Sequence, residues 1–456
     1  MTDPADLGPA DLGTAEAARR IAAGELTSEA LVTACLARIE DREPQVQAWT
    51  FLDPELALAQ ARATDARQAD GQTIGSLHGV PVGIKDIMDT ADMPTENGFL
   101  GHAGRRPTED AQCVRALRDA GAVIMGKTVT TELANRAAGK TRNPVDPAHT
   151  PGGSSSGSAA AVRAGMVPAA LGSQTGGSVI RPASYCGIHA LKPTFGLISR
   201  TGMLPQSDPL DTIGTYGRSV EDLACLADAL IGPDQRDPDC THHPHPKLHR
   251  SAMEAPPRRP RLAFVRTPVW HRGEPRMHAA LEGFAASLGA DCEEVALPDD
   301  LIDAWTWHRT AQLYGMARHY GPLSDRYGPL MSPRLTQHVA EGREISSARY
   351  REAVARREVA GAALAPIFAR FDAILTPASP GPAPKGLRFT GAATFNALWT
   401  YTGVPCVTLP LLEVDGLPLG VQLVGSRGAD GPLLRTARWL ERTARALSVD
   451  AVAATG

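Results

Sequence analysis

The apolar residues of the chain follow two alternating patterns along most of its length. Helical spacing predicts two amphipathic helices within residues 14–41, with Thr27 or Ser28 as the expected N-cap of the second. The same spacing predicts helices at 54–70, 111–120, 158–165 and 219–231. Short continuous apolar runs predict buried strands at 80–84, 122–125, 261–265, 373–375, 406–409 and 419–424. This alternation predicts an α/β fold, a single large α/β/α sandwich around a mixed, mostly parallel central sheet.

Residues 232–260 interrupt the alternation. This segment is rich in proline, histidine and arginine and has little periodicity, so we predict a surface loop between two halves of the chain. Helical stretches then continue to about residue 370.

Composition excludes several classes of function. The chain has 456 residues, of which 43% are hydrophobic and 21% charged, as in an ordinary globular protein. With a net charge of −4 and no basic stripe, nucleic acid is not the expected ligand. No apolar run is long enough to span a bilayer, so no membrane association is expected. Seven scattered cysteines without CxxC spacing predict reduced thiols in a cytoplasmic protein.

Serines and glycines cluster in two short turns, at residues 152–157 and 174–178. Serines placed among glycines present hydroxyl groups where a substrate can approach the backbone closely. Upstream, the apolar run at 80–84 ends on Lys85. Two serines and a lysine are sufficient to build a nucleophile and its base without a histidine.

Two familiar motifs match the sequence without fitting its physical context. Residues 121–128 satisfy the phosphate-loop pattern, but 123–125 are predicted to be strand rather than flexible loop, which argues against a nucleoside triphosphatase. Residues 153–157 satisfy the nucleophile-elbow pattern around Ser155. That motif requires a late histidine, and the last one here, His338, has no triad-like surroundings.

Many separated blocks of the sequence resemble the amidase signature family, including its malonamidase-like bacterial members. The blocks are 79–86, 121–128, 151–162, 170–178, 186–187, 191–194, 210–212, 218–222, 395–396 and 416–425. The resemblance implies that 1–456 form a single amidase-signature domain. Its catalytic core is expected at about 70–225, a variable substrate-pocket insertion at about 235–370, and returning core strands at about 371–430.

The resemblance also implies a Ser-cisSer-Lys triad. Ser178 is the expected nucleophile, Ser154 the relay with a cis peptide bond, and Lys85 the base. A lysine accepts a proton only when neutral, and burial favours its neutral form. Consecutive N–H groups in the run Thr175, Gly176, Gly177 and Ser178 are the expected oxyanion hole.

Substrate-binding residues are less sharply indicated. In malonamidase-like members an arginine at the place of Arg181 meets a substrate carboxylate, although a structural role for it is equally open. Asn396 and Trp399 match a block that borders the family's pocket. Aromatic residues of the variable segment (Trp305, Trp307 and Tyr314) are candidates for either a pocket wall or the core. Many members carry aspartate where this chain has Gln174, so the hydrogen bonds made there are expected to be neutral.

The expected function is serine-dependent hydrolysis of a C–N bond in a small-molecule amide, through an acyl-enzyme and without a cofactor or metal. One alternative is a carbamate or urethane hydrolase with the same triad. Another is the glutaminase subunit of a tRNA-dependent amidotransferase, working with partner chains. A noncatalytic scaffold is disfavoured because all three triad positions are filled. The family resemblance also raises the possibility of a homodimer.

Overall fold

The computed structural model describes residues 8–240 and 245–453. Within these residues one eleven-stranded sheet runs through the protein, in the order β1-β3-β2-β4-β6-β5-β10-β11-β9-β7-β8. The strands are β1 Trp49–Leu52, β2 Pro81–Lys85, β3 Val123–Thr128, β4 Ala169–Gln174, β5 His189–Lys192, β6 Thr212–Gly217, β7 Leu262–Phe264, β8 Cys292–Glu294, β9 Ala373–Pro377, β10 Cys406–Val414 and β11 Leu417–Val424.

Helices flank this sheet. They are α1 Thr14–Ala22, α2 Ser28–Val46, α3 Pro54–Ala69, α4 Gln112–Asp119, α5 Ser156–Arg163, α6 Ile180–Cys186, α7 Val220–Leu230, α8 Leu248–Met253, α9 Pro275–Ser287, α10 Ala304–Tyr327, α11 Pro333–Arg343, α12 Ser347–Ala362, α13 Ala365–Phe368, α14 Ala397–Tyr401 and α15 Asp430–Ala453. The α/β sandwich predicted from the alternating pattern is confirmed. Among the described residues, no helix is both long and apolar enough to cross a membrane.

The sheet is mixed, as predicted, but the expectation that it is mostly parallel is wrong. Strand pairs β2–β3, β2–β4, β7–β8 and β7–β9 are parallel, and the other six pairs are antiparallel. One cause is visible in the sequence. Asp415 and Gly416 both have positive φ, 54° and 76°, and form a two-residue turn between β10 and β11. A turn this short joins only antiparallel strands.

Both faces of the sheet are covered, which explains the continuous apolar runs. In β3, Val123 and Met125 join one hydrophobic cluster with α2 and α3, while Ile124 joins another with α4 and α7. Successive side chains of a strand point to opposite faces, so a strand buried on both sides has no polar alternation. The phosphate-loop match is therefore a buried strand, as predicted.

The predicted helices form, with small shifts at their ends. Thr27 caps α2 by accepting the Ala30 N–H, and Ser219 caps α7 by accepting the Asp222 N–H. Helix α5 begins at Ser156, two residues before its predicted start. In the segment 232–260, predicted as loop, the short helix α8 also forms, because the Asp228 carboxylate accepts the Leu248 and His249 N–H groups at its start.

Candidate active site

Lys85 is the last residue of β2 and its side chain is fully buried. Its side-chain nitrogen, Nζ, lies 2.7 Å from Ser154 Oγ and 2.8 Å from Ser173 Oγ. Burial holds the pKa of Lys85 well below its usual value, and the charge of Asp211 only partly opposes this shift. The structure thus joins two of the three expected triad residues through a direct hydrogen bond.

Ser154 lies in the first glycine–serine turn, directly before α5. The peptide bond between Gly153 and Ser154 is cis, as the resemblance implies. Glycine is required at 152, because φ is +84° and a Cβ there would lie 2.8 Å from Pro182 Cα. Ser155 is also fully buried, and its hydroxyl bonds the backbone of Ser173. The serine chosen by the nucleophile-elbow pattern therefore ties α5 to β4.

Ser178 lies on the second turn, between β4 and α6, and lines a cavity. Among the described residues its hydroxyl makes no hydrogen bond, whereas its carbonyl accepts the Tyr216 hydroxyl at 3.1 Å. The structure therefore presents the expected nucleophile to the cavity but records no direct bond from it to Ser154.

Gln174 holds the turn that carries Ser178. Its side-chain oxygen accepts the N–H groups of Val179 and Ile180 at 2.9 and 3.1 Å. Its side-chain nitrogen donates to Thr400 Oγ1 at 2.9 Å, and Thr400 in turn donates to the Gly176 carbonyl. All these partners are neutral, which agrees with the expectation from the Asp-to-Gln departure at this position.

The same turn leaves a row of backbone donors free. Within the described residues no hydrogen bond uses the N–H of Gly176, Gly177 or Ser178. A side chain at 177 would require Asn396 to move, because a Cβ there would lie 2.4 Å from Asn396 Oδ1. Free, preorganised N–H groups at a cavity wall match the requirements of an oxyanion hole.

Thr175 is held from two sides. Its hydroxyl donates to the buried Asp211 carboxylate at 2.5 Å, and its carbonyl lies 2.8 Å from His308 Nε2. Burial lowers the pKa of His308 to about 4, so the ring is neutral at pH 7 and Nε2 donates the proton of this bond. These contacts fix the start of the turn between the sheet and α10.

The cavity beside Ser178 has a volume of about 420 Å³, in the range of small-molecule sites. Its walls come from both halves of the chain. They are formed by Ala134, Asn135, Arg136, Gly176, Gly177, Ser178, Arg181, Gln206, Arg272, Trp305, Thr306, His308, Arg309, Gln312, Gly391, Ala392, Ala393, Thr394 and Ala397.

Of the expected substrate-binding residues, one lines the cavity and the other two lie behind its wall. Arg181 lines the cavity, yet its side chain is buried and donates to the carbonyls of Thr390 and Gly153. Burial lowers the pKa of Arg181 to about 10. Asn396 and Trp399 are completely buried and lie behind the wall rather than on it. Asn396 instead donates to the Ala378 carbonyl at 3.0 Å.

The aromatic candidates separate in the same way. Trp305 lines the cavity and donates from Nε1 to the Thr394 carbonyl at 2.8 Å. Trp307 is buried beneath Arg349, whose guanidinium carbon lies 3.8 Å from the ring centroid. Tyr314 stacks on Tyr350 at a centroid distance of 4.1 Å. Of these three aromatic residues, only Trp305 lies on the cavity wall, where a substrate can contact it.

Several site residues were not predicted from the sequence. Ser173 directly precedes Gln174 in the matched block, so an unpredicted strand over 169–174 was the missing signal for its contact with Lys85. Arg136, His308 and Arg309 lie on the cavity wall but in no motif that we identified.

Comparison with known proteins gives a consistent assignment. The Amidase family model matches residues 30–434. The A subunit of glutamyl-tRNA(Gln) amidotransferase from Chloroflexus aggregans is 36% identical, over 91% of this chain and 93% of its own length. The structure of peptide amidase from Stenotrophomonas maltophilia superposes with a TM-score of 0.83 at 32% identity, over 95% of this chain and 97% of that one.

A third relative comes from a structure described as a vestigial protein complex that reveals the origins of an s-triazine catabolic enzyme. It superposes with a TM-score of 0.88 at 29% identity, over 95% of this chain and 98% of that one. Fold and sequence together define an enzyme of the amide-hydrolysing class. The chain belongs to the amidase signature family, as its motifs predict.

Proposed function

We propose that the protein hydrolyses a C–N bond of a small amide through an acyl-enzyme on Ser178. The observation that carries the proposal is the buried hydrogen bond between Lys85 Nζ and Ser154 Oγ, beside a cavity that Ser178 lines. A neutral amine inside the protein is a base, and the serine hydroxyl on the cavity wall needs one to become a nucleophile.

In the proposed mechanism the Ser178 hydroxyl attacks the amide carbon and passes its proton to Ser154, which passes its own proton to Lys85. The carbonyl oxygen becomes an oxyanion stabilised by the N–H groups of Gly176, Gly177 and Ser178. The proton returns by the same route to the departing nitrogen as the C–N bond breaks. Water then attacks the acyl-enzyme and releases a carboxylate and free Ser178.

A second function has support from the curated relatives, which are named as amidotransferase components. In that case the chain releases ammonia from glutamine and works with partner chains. The cavity favours a free-standing hydrolase instead. Glutamine carries an α-ammonium group as well as an α-carboxylate, and no carboxylate side chain lies among the described cavity-lining residues to pair with that ammonium.

Carbamates remain within the proposal as a substrate alternative, since the same nucleophile attacks their carbonyl carbon. The proposal also places the enzyme in the cytoplasm. In support, all seven cysteines are unpaired in the structure, and five of them are buried: Cys35, Cys113, Cys186, Cys240 and Cys406.

The test measures the nitrogen product released by the purified single chain from glutamine, simple aliphatic amides, anilides and carbamates. We expect turnover of non-glutamine amides without any partner. Ser178→Ala lowers kcat by about a thousandfold or more, because the nucleophile is lost. Ser287→Ala is the matched control, since this serine is exposed on α9 and its hydroxyl bonds only the Phe284 carbonyl.

Full activity in Ser178→Ala would remove the proposed mechanism. Turnover of glutamine alone, appearing only after partner chains are added, would establish the amidotransferase function in its place. Preference for carbamates over matched amides would change the proposed substrate class from amides to carbamates. It would leave the proposed roles of Ser178, Ser154 and Lys85 unchanged.

A further inference from the structure

Four arginines from separate parts of the chain line the cavity beside Ser178. Arg136 follows a short 3-10 helix, Arg181 lies in α6, Arg272 ends another 3-10 helix, and Arg309 lies in α10. The chain as a whole carries a net charge of −4. The cleft is therefore positive although the net charge of the protein is negative. A cleft of positive charge raises the local concentration of anions.

Most of this charge lacks a protein counter-ion. Among the described residues, the side chains of Arg136 and Arg272 form no ion pair or hydrogen bond, and that of Arg181 donates only to backbone carbonyls. Arg309 alone pairs with a carboxylate, Glu341, at 2.5 Å. The residues that line the cavity include no aspartate or glutamate in the described part of the chain.

Nearby acidic groups are engaged elsewhere. Glu132 accepts from the backbone N–H and the hydroxyl of Ser332, and Glu274 pairs with Arg276 at 2.7 Å. The cleft thus offers guanidinium groups, exposed at Arg136, Arg272 and Arg309, that an anion from solution can reach.

The electrostatic effect of the cluster is visible on its neighbours. Partial desolvation first, and then the charges of Arg334 and Arg309, lower the pKa of Arg136. Burial lowers the pKa of His338 to about 4, and the positive charge of Arg136 is the next cause. A bound anion relieves this mutual repulsion, so its binding is favoured by the site as built.

We propose that the substrate is an amide that carries a carboxylate, and that Arg136 and Arg309 bind this carboxylate while Ser178 attacks the amide. This inference rests on the proposed hydrolysis and specifies its substrate class. Guanidinium groups bind carboxylates through charge-assisted, often paired hydrogen bonds. The cavity of about 420 Å³ has room for a short chain between the two groups.

The first experiment compares three amides of similar size: succinamate, butanamide and 4-aminobutanamide, which are anionic, neutral and cationic at pH 7. We expect kcat/KM to be highest for succinamate, by about tenfold or more over butanamide, and lowest for the cationic amide. Arg136→Gln and Arg309→Gln each reduce the succinamate-to-butanamide ratio by about tenfold, mainly through KM. Arg442→Gln removes an exposed arginine outside the cavity wall and leaves the ratio unchanged.

The second experiment measures binding without turnover. Glutarate is titrated into Ser178→Ala while the fluorescence of Trp305 on the cavity wall is followed, with Trp305→Phe as the signal control. We expect saturable binding that Arg136→Gln weakens by about tenfold and that added salt weakens further. Inorganic phosphate is titrated in parallel and is expected to bind more weakly than glutarate.

These results separate the two proposals. Equal kcat/KM for succinamate and butanamide, together with an amide activity that Ser178→Ala abolishes, would overturn the carboxylate inference and keep the hydrolase. Absence of amide turnover with Arg136-dependent glutarate binding would overturn both the hydrolase and the amide substrate, and would leave only a carboxylate-binding site. Phosphate binding tighter than glutarate would overturn the assignment to a carboxylate.

Discussion

Lys127 and Lys85 are two of the three buried lysines among the described residues, and their surroundings differ. Lys127 forms an ion pair with Asp86 at 3.6 Å and donates to backbone carbonyls, and burial lowers its pKa to about 8. Among the described residues, Lys85 has no carboxylate within hydrogen-bond distance and bonds only Ser154 and Ser173, and burial holds its pKa well below its usual value. A hydroxyl exchanges protons with an amine, whereas a carboxylate stabilises the ammonium form. Of these two lysines, Lys85 is therefore the one whose environment suits a base.

This difference predicts a pH dependence of stability and rate. Because the pKa of Lys85 is lower in the folded than in the unfolded protein, the unfolded protein binds more protons between the two values. The free energy of unfolding of the wild type, relative to Lys85→Met, therefore rises by about 1.4 kcal/mol per pH unit from the folded-state pKa up to about 10.4. Denaturant unfolding of both proteins at several pH values measures this slope.

The rate of the reaction is expected to depend on the same protonation of Lys85. The kcat/KM of the wild type is expected to fall as pH drops through the pKa of Lys85, since protonated lysine is no base. Two results would show that Lys85 is charged and structural. One is a difference in free energy of unfolding between wild type and Lys85→Met that does not change with pH. The other is a fall of kcat/KM at low pH that is the same in Lys85→Met as in the wild type.

Helix α5 positions Ser154, the proposed relay, by unusually close packing. The Gly157 N–H donates to the Val129 carbonyl, and a Cβ at 157 would lie 2.2 Å from the Ala48 carbonyl oxygen and 2.4 Å from the Val129 nitrogen. Only glycine allows the helix to approach β3 this closely. The helix and the strand together hold the turn that carries Ser154.

A pair of helical glycines tests this packing. Gly157→Ala is expected to lower the free energy of unfolding by about 3 kcal/mol or more, because backbone atoms must move to admit the methyl group. Gly283→Ala in α9 meets nothing within 4 Å and is expected to raise it by about 0.5–1 kcal/mol through helix propensity. Thermal unfolding of both variants measures these changes. A small change in the free energy of unfolding of Gly157→Ala, similar in size to that of Gly283→Ala, would contradict the close packing of α5 against β3.

The elements near the site show how far sequence reasoning reaches. The runs that form β2 and β3 and the caps of α2 and α7 are local signals, and the structure confirms them. Strand β4 was missed because Ala-Ala-Leu-Gly-Ser-Gln has little β-propensity, and its pairing with β2 and β6 alone makes it a strand. The cavity wall was missed for a similar reason, since Arg136 and Arg309 are far apart in the sequence and line one cavity only through the tertiary fold.

The whole molecule unites two halves at one cavity. Ser178 and its turn come from the first half, whereas Trp305, His308 and Arg309 come from the segment expected to vary among relatives. One sheet runs from β1 to β8 through both halves, which supports the single domain that we propose. The turn that carries Ser178 and the variable wall meet directly where His308 contacts Thr175. The wall that we propose to select the substrate is thus in contact with the turn that we propose to stabilise the oxyanion.

The central claim is that Ser178 acts as the nucleophile. The most direct measurement treats the intact protein with a serine-directed fluorophosphonate, weighs it, and maps the modified peptide. We predict one adduct per chain, on Ser178, absent from Ser178→Ala and strongly slowed in Lys85→Ala and Ser154→Ala. An adduct on Ser155, or undiminished labelling of Ser178→Ala, would contradict the account.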